Sequence, residues 1–284
     1  MKSQIERVIE QILGSPPKNM SSLGGGCIAD VYKVTLQNDQ IIVAKSGDAG
    51  SGLHLESDML RYLGEHTALP VPDVLFSDDT LLLMTWLPSA GSLNEKGETQ
   101  AADQLAALHD ITSDQFGFCY DTVIGGLHQP NPRHDRWLGF FAEHRLMYMG
   151  QQALKAGQLP GPILSRLEKL CGRLDTWLFE PAQPSLVHGD LWGGNVLAEN
   201  GRLKGFIDPA IYFAHAEIEL AFTTLFNTFS NTFFDRYREH RPIDPGFFKE
   251  RRDIYNLYPL LVHVHLFGGA YVKSVERTLT RFGA

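Results

Sequence analysis

The stretch LVHGDLWGGNVL, residues 186–197, places His188, Asp190 and Asn195 in one glycine-rich segment, and a further acid, Asp208, follows thirteen residues after the asparagine. A carboxylate at a loop tip can accept a proton from a substrate hydroxyl. The amide oxygen of Asn195 can ligate a metal. Asp208 ends the strand that follows a short hairpin and can bring an anionic oxygen to the same ion. Mg²⁺ takes oxygen ligands and keeps substrate phosphates as partners, so an amide, a carboxylate and a triphosphate suit it. Asp-x4-Asn just ahead of a hairpin is the spacing of a kinase catalytic loop. Each residue alone reads equally well as turn chemistry; the joint spacing argues against that. His188 is read as loop support, because a base already stands two residues on.

A second group lies far upstream. GGGC at 24–27 precedes a β-branched strand pair, and the second strand ends on Lys45. Backbone N–H groups of Gly24, Gly25 and Gly26 can approach phosphate with no Cβ in the way. Lys45 can hold the α- and β-phosphates, and Glu56, on the helix that follows, can fix the lysine by ion pairing. Glu65, at the far end of that helix, is a poorer partner. Cys27 is read as a small silent residue, with a reactive thiol as the alternative. In LLLMTWLP, Met84 would line an adenine pocket, and the backbone of Thr85, Trp86 and Leu87 would pair with the base.

These residues need a scaffold, and the pattern supplies one. MKSQIERVIEQILG is amphipathic, with Ile5, Val8, Ile9, Ile12 and Leu13 on one helical face. GSPPKNM breaks the chain. DVYKVTL and QIIVAK read as a hairpin turning at Asn38-Asp39, LHLESDMLRYLGEH as a helix, and DVLFSDDTLLLMTWL as a second hairpin. Residues 1–87 therefore form a β-rich N-lobe, residues 88–98 a linker, and residues 99–284 a C-lobe of long helices. The exception in the C-lobe is a hairpin, NVLAE and LKGFID, turning at Asn200-Gly201. The expected class is α+β, two lobes with a sheet in the first and helices in the second.

Composition narrows the partners. A net charge of −8 disfavours a phosphate-backbone footprint, so no nucleic-acid partner is expected. Apolar content of 43% supports a real core. Three cysteines without a CxxC pair fit a reducing cytoplasm. LYPLLVHVHLFGGAY is short and carries two histidines, so it reads as a buried helix and no membrane partner is expected.

Lys45, Glu56, HGDLWGGN and IDPA together resemble the kinase-like phosphotransferases, the group of aminoglycoside phosphotransferases and choline kinases. GGGCIADVYKV, FGF at 116–118, IGGLHQPNP at 124–132, RWLGFFAEHRL, IDPAIYFAHAEIELAF and YNLYPLLVH sharpen the likeness to the fructosamine kinase, or ketosamine-3-kinase, family. The resemblance spans nearly the whole chain. It implies a bilobal protein-kinase-like fold, ATP and Mg²⁺, Asp190 as base, Asn195 and Asp208 at the metal, and Lys45 with Glu56 at the phosphates. It also implies phosphorylation of the 3-hydroxyl of a ketoamine, either a small molecule or a glycated protein lysine. Relatives often carry Gly-Asp where this chain has Ala214-His215, and tryptophan where it has Arg133; both departures fall where the acceptor should bind. Candidates for the acceptor are Trp192, Gln129, Asn131, Trp137, His215 and Glu217, while Glu219 is expected to be structural.

Three rival readings remain at this level. An aminoglycoside or choline type of kinase would want more acids around its acceptor loops. A protein kinase would show a DFG or APE-like activation segment after Asp208, where Pro209 stands instead. A non-catalytic nucleotide-binding module would not need Lys45, Glu56, Asp190, Asn195 and Asp208 all intact.

Overall fold

The computed structural model describes residues 2–24 and 29–284. The expectations placed on Gly25, Gly26 and Cys27 lie outside the described residues. In chain order the first elements are α1 (Lys2–Leu13), β1 (Pro17–Leu23), β2 (Asp30–Leu36), β3 (Ile41–Ser46), α2 (Leu53–His66), β4 (Val74–Ser77), β5 (Leu81–Thr85) and α3 (Glu95–His109). Next come β6 (Thr122–Ile124), β7 (Leu127–Gln129), α4 (Trp137–Phe141), α5 (Tyr148–Lys155), α6 (Gly161–Cys171), β8 (Ser185–Val187), β9 (Val196–Glu199), β10 (Arg202–Phe206) and β11 (Tyr212–Ala214). The last are α7 (Glu217–Leu225), α8 (Asn231–His240), α9 (Arg252–Tyr255), α10 (Leu257–Phe267) and α11 (Ala270–Arg281). The class is α+β, as expected.

The chain folds into two compact units, Met1–Gly97 with Val196–Pro209, and Glu98–Asn195 with Ala210–Ala284. The first is built on an antiparallel sheet of order β1-β2-β3-β5-β4. Alternation along β5 sends Leu81 and Leu83 to a core with Ile5, Ile9, Val34 and Ile42, and Leu82 and Met84 to a core under Leu53 and Leu60 of α2. Burying an aliphatic side chain of this kind contributes about 1.5–3 kcal/mol. Ile12 departs from the expected stripe and is exposed. The segment read as a breaker carries β1, which pairs with β2 from Pro17↔Leu36 to Leu23↔Val31. A proline is tolerated there because β1 is an edge strand.

The expected boundaries shift in one respect. The β9–β10 hairpin packs with the sheet unit instead of the helical one. Ala90 N–H donates to Ala198 O at 2.7 Å, Asn94 N–H to Gly201 O at 3.0 Å, and Phe206 N–H to Pro70 O at 2.8 Å. A Cβ at Gly205 would meet Leu87 Cδ1 and Pro70 O at 2.6 Å, so only glycine permits this approach. The 88–98 segment is therefore bonded to the hairpin and does not serve as a free tether.

In the second unit the long periodic stretches become helices with identifiable stops. The 136–157 stretch continues from α4 through a π-helical turn, Ala142–Met147, into α5. The 216–240 stretch divides into α7 and α8, the latter capped by Ser230 Oγ, which accepts Thr232 N–H. Gly268 and Gly269, at φ 59° and 57°, separate α10 from α11. The apolar α10 is buried, and among the described residues no helix is long and apolar enough to cross a membrane. Strands β8 and β11 pair antiparallel and deliver the chain into the HGD segment and α7 respectively.

Candidate active site

In the helical unit, β8 ends at Val187 and the chain turns sharply. Gly189 sits at φ 87°, and a Cβ there would lie 2.0 Å from Ala210 O. Ala210 N–H donates to His188 O at 2.7 Å, closing the turn. The turn is clamped from beneath by Glu219, in the first turn of α7. Its Oε1 accepts Gly189 N–H at 2.7 Å and its Oε2 accepts His188 N–H at 3.1 Å. His109 Nε2 meets the same Oε2 at 2.9 Å, and Tyr237 Oη meets His109 Nδ1 at 2.6 Å. Burial raises the Glu219 pKa, but hydrogen bonding to His109 and the neighbouring histidine charges outweigh it and hold the carboxyl below its ordinary value.

That clamp presents Asp190. Asn195 Nδ2 donates to Asp190 O at 2.8 Å and to Asp190 Oδ2 at 3.0 Å. The amide orientation leaves the Asn195 carbonyl oxygen as its remaining ligand atom, which fits a hard cation. Asp190 N–H faces His188 Nδ1 at 3.4 Å, consistent with a supporting role for the histidine. Beyond Asp190, Trp192 is 38% exposed, and a Cβ at Gly194 would strike its indole at 2.4 Å. The indole meets Phe226 edge-on at 5.8 Å between centroids, and Phe226 packs on His263 at 5.1 Å. The loop that carries Asp190 thus opens onto an aromatic surface.

The sheet unit carries the other charged group. Lys45, near the end of β3, is buried, and its Nζ lies 2.6 Å from Glu56 Oε1 on α2. The same Nζ pairs with Asp208 Oδ1. Burial lowers the Lys45 pKa, yet the Asp208 and Glu56 carboxylates outweigh it and raise it above its ordinary value. Glu56 moves up, because burial exceeds the pull of Lys45 and Asp208 adds a like charge. Asp208 sits in the left-handed region at φ 55°, and its side chain is 44% exposed, so its carboxylate remains open to a further cation. Among the described residues no group of three His, Cys, Asp or Glu side chains could hold a metal ion.

Comparison with known proteins gives the family and the fold. The fructosamine kinase family profile matches residues 1–283. The chain belongs to the fructosamine kinase family. It is 33% identical over 289 residues to a probable ketoamine kinase of Synechocystis sp., covering 97% of this chain and 94% of that one. A Thermobifida fusca crystal structure, provisionally described as a fructosamine-3-kinase, shares 30% identity at a TM-score of 0.86 over 98% of each chain. An aminoglycoside phosphotransferase, APH(4)-Ia, shares the fold at 16% identity and a TM-score of 0.67, over 98% of this chain and 99% of that one. The chain is accordingly a kinase of protein-kinase-like fold, and family membership implies use of ATP.

The remaining candidates of this fructosamine kinase family member fall into distinct settings. Gln129 is fully buried, donating to Thr122 Oγ1 and Ala210 O and accepting from Tyr258 Oη. Asn131 donates to Tyr120 O and Thr122 Oγ1 and accepts from Arg145. Trp137 is fully buried, stacks on Phe140 and Phe141 and donates to Tyr255 Oη. The geometry gives these three to packing, because their polar atoms are spent inside the unit. Glu217 is held by Arg251 through two contacts of 2.7 Å. His215 is buried beside it, its Nδ1 accepting Glu217 N–H at 3.1 Å. Only Trp192 of this set is exposed.

In the sheet unit, Met84 lies in the core and Thr85 N–H donates to Asp73 O. Trp86 carries Lys33 Nζ 4.2 Å over its ring, and Gly24 lies exposed at the end of β1. Sequence reasoning missed His109, Tyr237, Phe226 and His263 as neighbours of the catalytic segment. Their contacts are long-range in the chain, and the one local signal is Glu219, expected to be structural, in the first turn of α7.

Proposed function

We propose that this kinase transfers the γ-phosphoryl group of ATP to the 3-hydroxyl of a ketoamine such as a fructosamine or ribulosamine, carried on a small molecule or a glycated protein lysine. The observation that carries the reading is Asp190, oriented by Asn195 and held on a loop whose backbone is clamped by buried Glu219. The Asp190 carboxylate accepts the hydroxyl proton as that oxygen bonds to the γ-phosphorus and the bond to ADP breaks. Lys45, fixed by Glu56, offsets phosphate charge. Asn195 and Asp208 would hold Mg²⁺, which when bound neutralises charge on the phosphates. Most of the rate then comes from positioning and electrostatics. Trp192, with Phe226 edge-on to it and His263 packed on Phe226, offers a face on which a sugar ring or an open-chain polyol can lie. The phosphorylated adduct is unstable, so its collapse would free the amine, a repair role.

The test is ATP consumption across ribulosamines, fructosamines and aminoglycosides, with Asp190→Asn as the blank and NMR of the product to place the phosphate. Turnover with ketoamines and 3-phosphorylation are expected. Turnover only with aminoglycosides would overturn the substrate assignment.

A further inference from the structure

His215 and Glu217 line a cavity of about 500 Å³ within the helical unit, a size within the usual range for small-molecule sites. The floor is buried and includes Ser185, His215 and Tyr237. The rim is exposed and includes Asp110, Phe179, Gln183 and Asp244. The fixed charges around it are largely cancelled. Glu217 is bound by Arg251, Asp110 by Arg241, and Glu180 accepts the N–H groups of Trp137 and Leu138 as well as Arg136. An anionic ligand would therefore find Arg241 and Arg251 already paired, while the exposed Asp244 carboxylate can accept from hydroxyls.

One donor is unused. Because His215 Nδ1 accepts from Glu217 N–H, the ring proton resides on Nε2. Among the described residues that buried Nε2 has no hydrogen-bond partner, an arrangement that costs free energy unless a ligand supplies an acceptor. Burial, with Arg251 and Arg241 nearby, lowers the His215 pKa to about 3, so the ring stays neutral. Donors on the floor, acceptors and an amide on the rim and the half-open ring of Phe179 form a mixed lining that matches a molecule with many hydroxyls and no net charge.

We propose that this cavity is a second ligand site, taking a neutral polyhydroxylated molecule of monosaccharide size, and that its occupancy bears on turnover. The route is short: the wall residue Tyr237 bonds His109, His109 bonds Glu219, and Glu219 holds the backbone of His188 and Gly189, directly ahead of Asp190.

The site is separable from the acceptor surface around Trp192. Glucitol is titrated by saturation-transfer NMR and calorimetry into the full-length enzyme, Trp192→Ala, His215→Phe, and the rim variant Gln183→Ala/Asp244→Ala. Binding is expected to wild type and Trp192→Ala alike, and to weaken about tenfold or more in the other two. Both rim residues are exposed, so that variant stays informative if His215→Phe fails to fold. Saturating glucitol is expected to change wild-type kcat by about twofold or more, and to leave the rim variant unchanged. Absence of binding, or binding abolished by Trp192→Ala and retained in the rim variant, overturns the site. Binding with unaltered kcat overturns the coupling. Glucitol is not a ketoamine, so failure of the ketoamine assignment would leave the binding result standing.

Discussion

Two glutamates, one in each unit, carry the same kind of burial penalty and end with opposite pKa shifts. Glu56 in the sheet unit has its pKa raised, and Glu219 in the helical unit has its pKa lowered. Desolvation pushes both upward. Glu56 has one strong partner, the Lys45 ammonium, and must share it with the Asp208 carboxylate. Glu219 faces donors on every side: two backbone N–H groups and the His109 ring. A carboxylate ringed by fixed donors is a structural clamp. A carboxylate that shares one cation with a second acid has no such fixed ring of donors. The difference separates what holds this enzyme's machinery from what handles its substrates.

The sharpest test falls on the group that the clamp presents. Asp190→Asn should lower kcat by about 10²–10⁴-fold while ATP affinity by calorimetry stays nearly constant. Near-normal turnover would remove Asp190 from the reaction. Lys45→Met removes the shared cation, and kcat/KM for ATP should drop by about 10–100-fold. An unchanged value would make the Lys45 cluster merely structural. Glu219→Gln keeps the shape but puts an amide against donors. It should destabilise the fold by about 3 kcal/mol in urea, whereas Glu56→Gln should cost far less. Equal losses would erase the contrast between the two. Trp192→Ala should raise acceptor KM by about 2–10-fold with little change for ATP.

The smallest effect is in pH dependence, and its signs differ. Glu219, lowered from 4.5, contributes stability that is present above that value and is lost as pH falls through the folded pKa. Glu56, raised from 4.5, contributes stability that is present below that value and is lost as pH rises through its folded pKa. His215, lowered from 6.5 to about 3, binds its proton more readily when unfolded, so stability falls as pH drops across that window. Urea midpoints between pH 4 and 7 should therefore show a shallower acid loss in Glu219→Gln and His215→Phe and a steeper one in Glu56→Gln.

Much of this was readable from sequence wherever the determinant is local. Period and turn chemistry located α1, α2, the β2–β3 and β4–β5 hairpins and the Asn200-Gly201 turn. The order of Lys45, Glu56, Asp190, Asn195 and Asp208 pointed to phosphoryl transfer before any geometry. What escaped depends on distant partners. β1 is hidden behind Pro16-Pro17 because only its pairing with β2 makes the segment a strand. Gln129 ends β7, Asn131 lies in the loop after it and Trp137 opens α4, and nothing local shows that Tyr258, Arg145 and Tyr255 come to meet them. His109 lies 110 residues from Glu219, so their bond leaves no trace in spacing.

The division of the chain also sets an order of events in time. The sheet unit is complete only with Val196–Pro209, so residues 98–195 must be synthesised before its last hairpin exists. At about 5–20 residues per second, that interval lasts roughly 5–20 s. During it, Pro70 and Ala90 still lack the strand backbone that they later bond, and Lys45 has only one of its two carboxylates. A nascent chain of this kinase thus carries an unfinished sheet unit until Val196–Pro209 has left the ribosome.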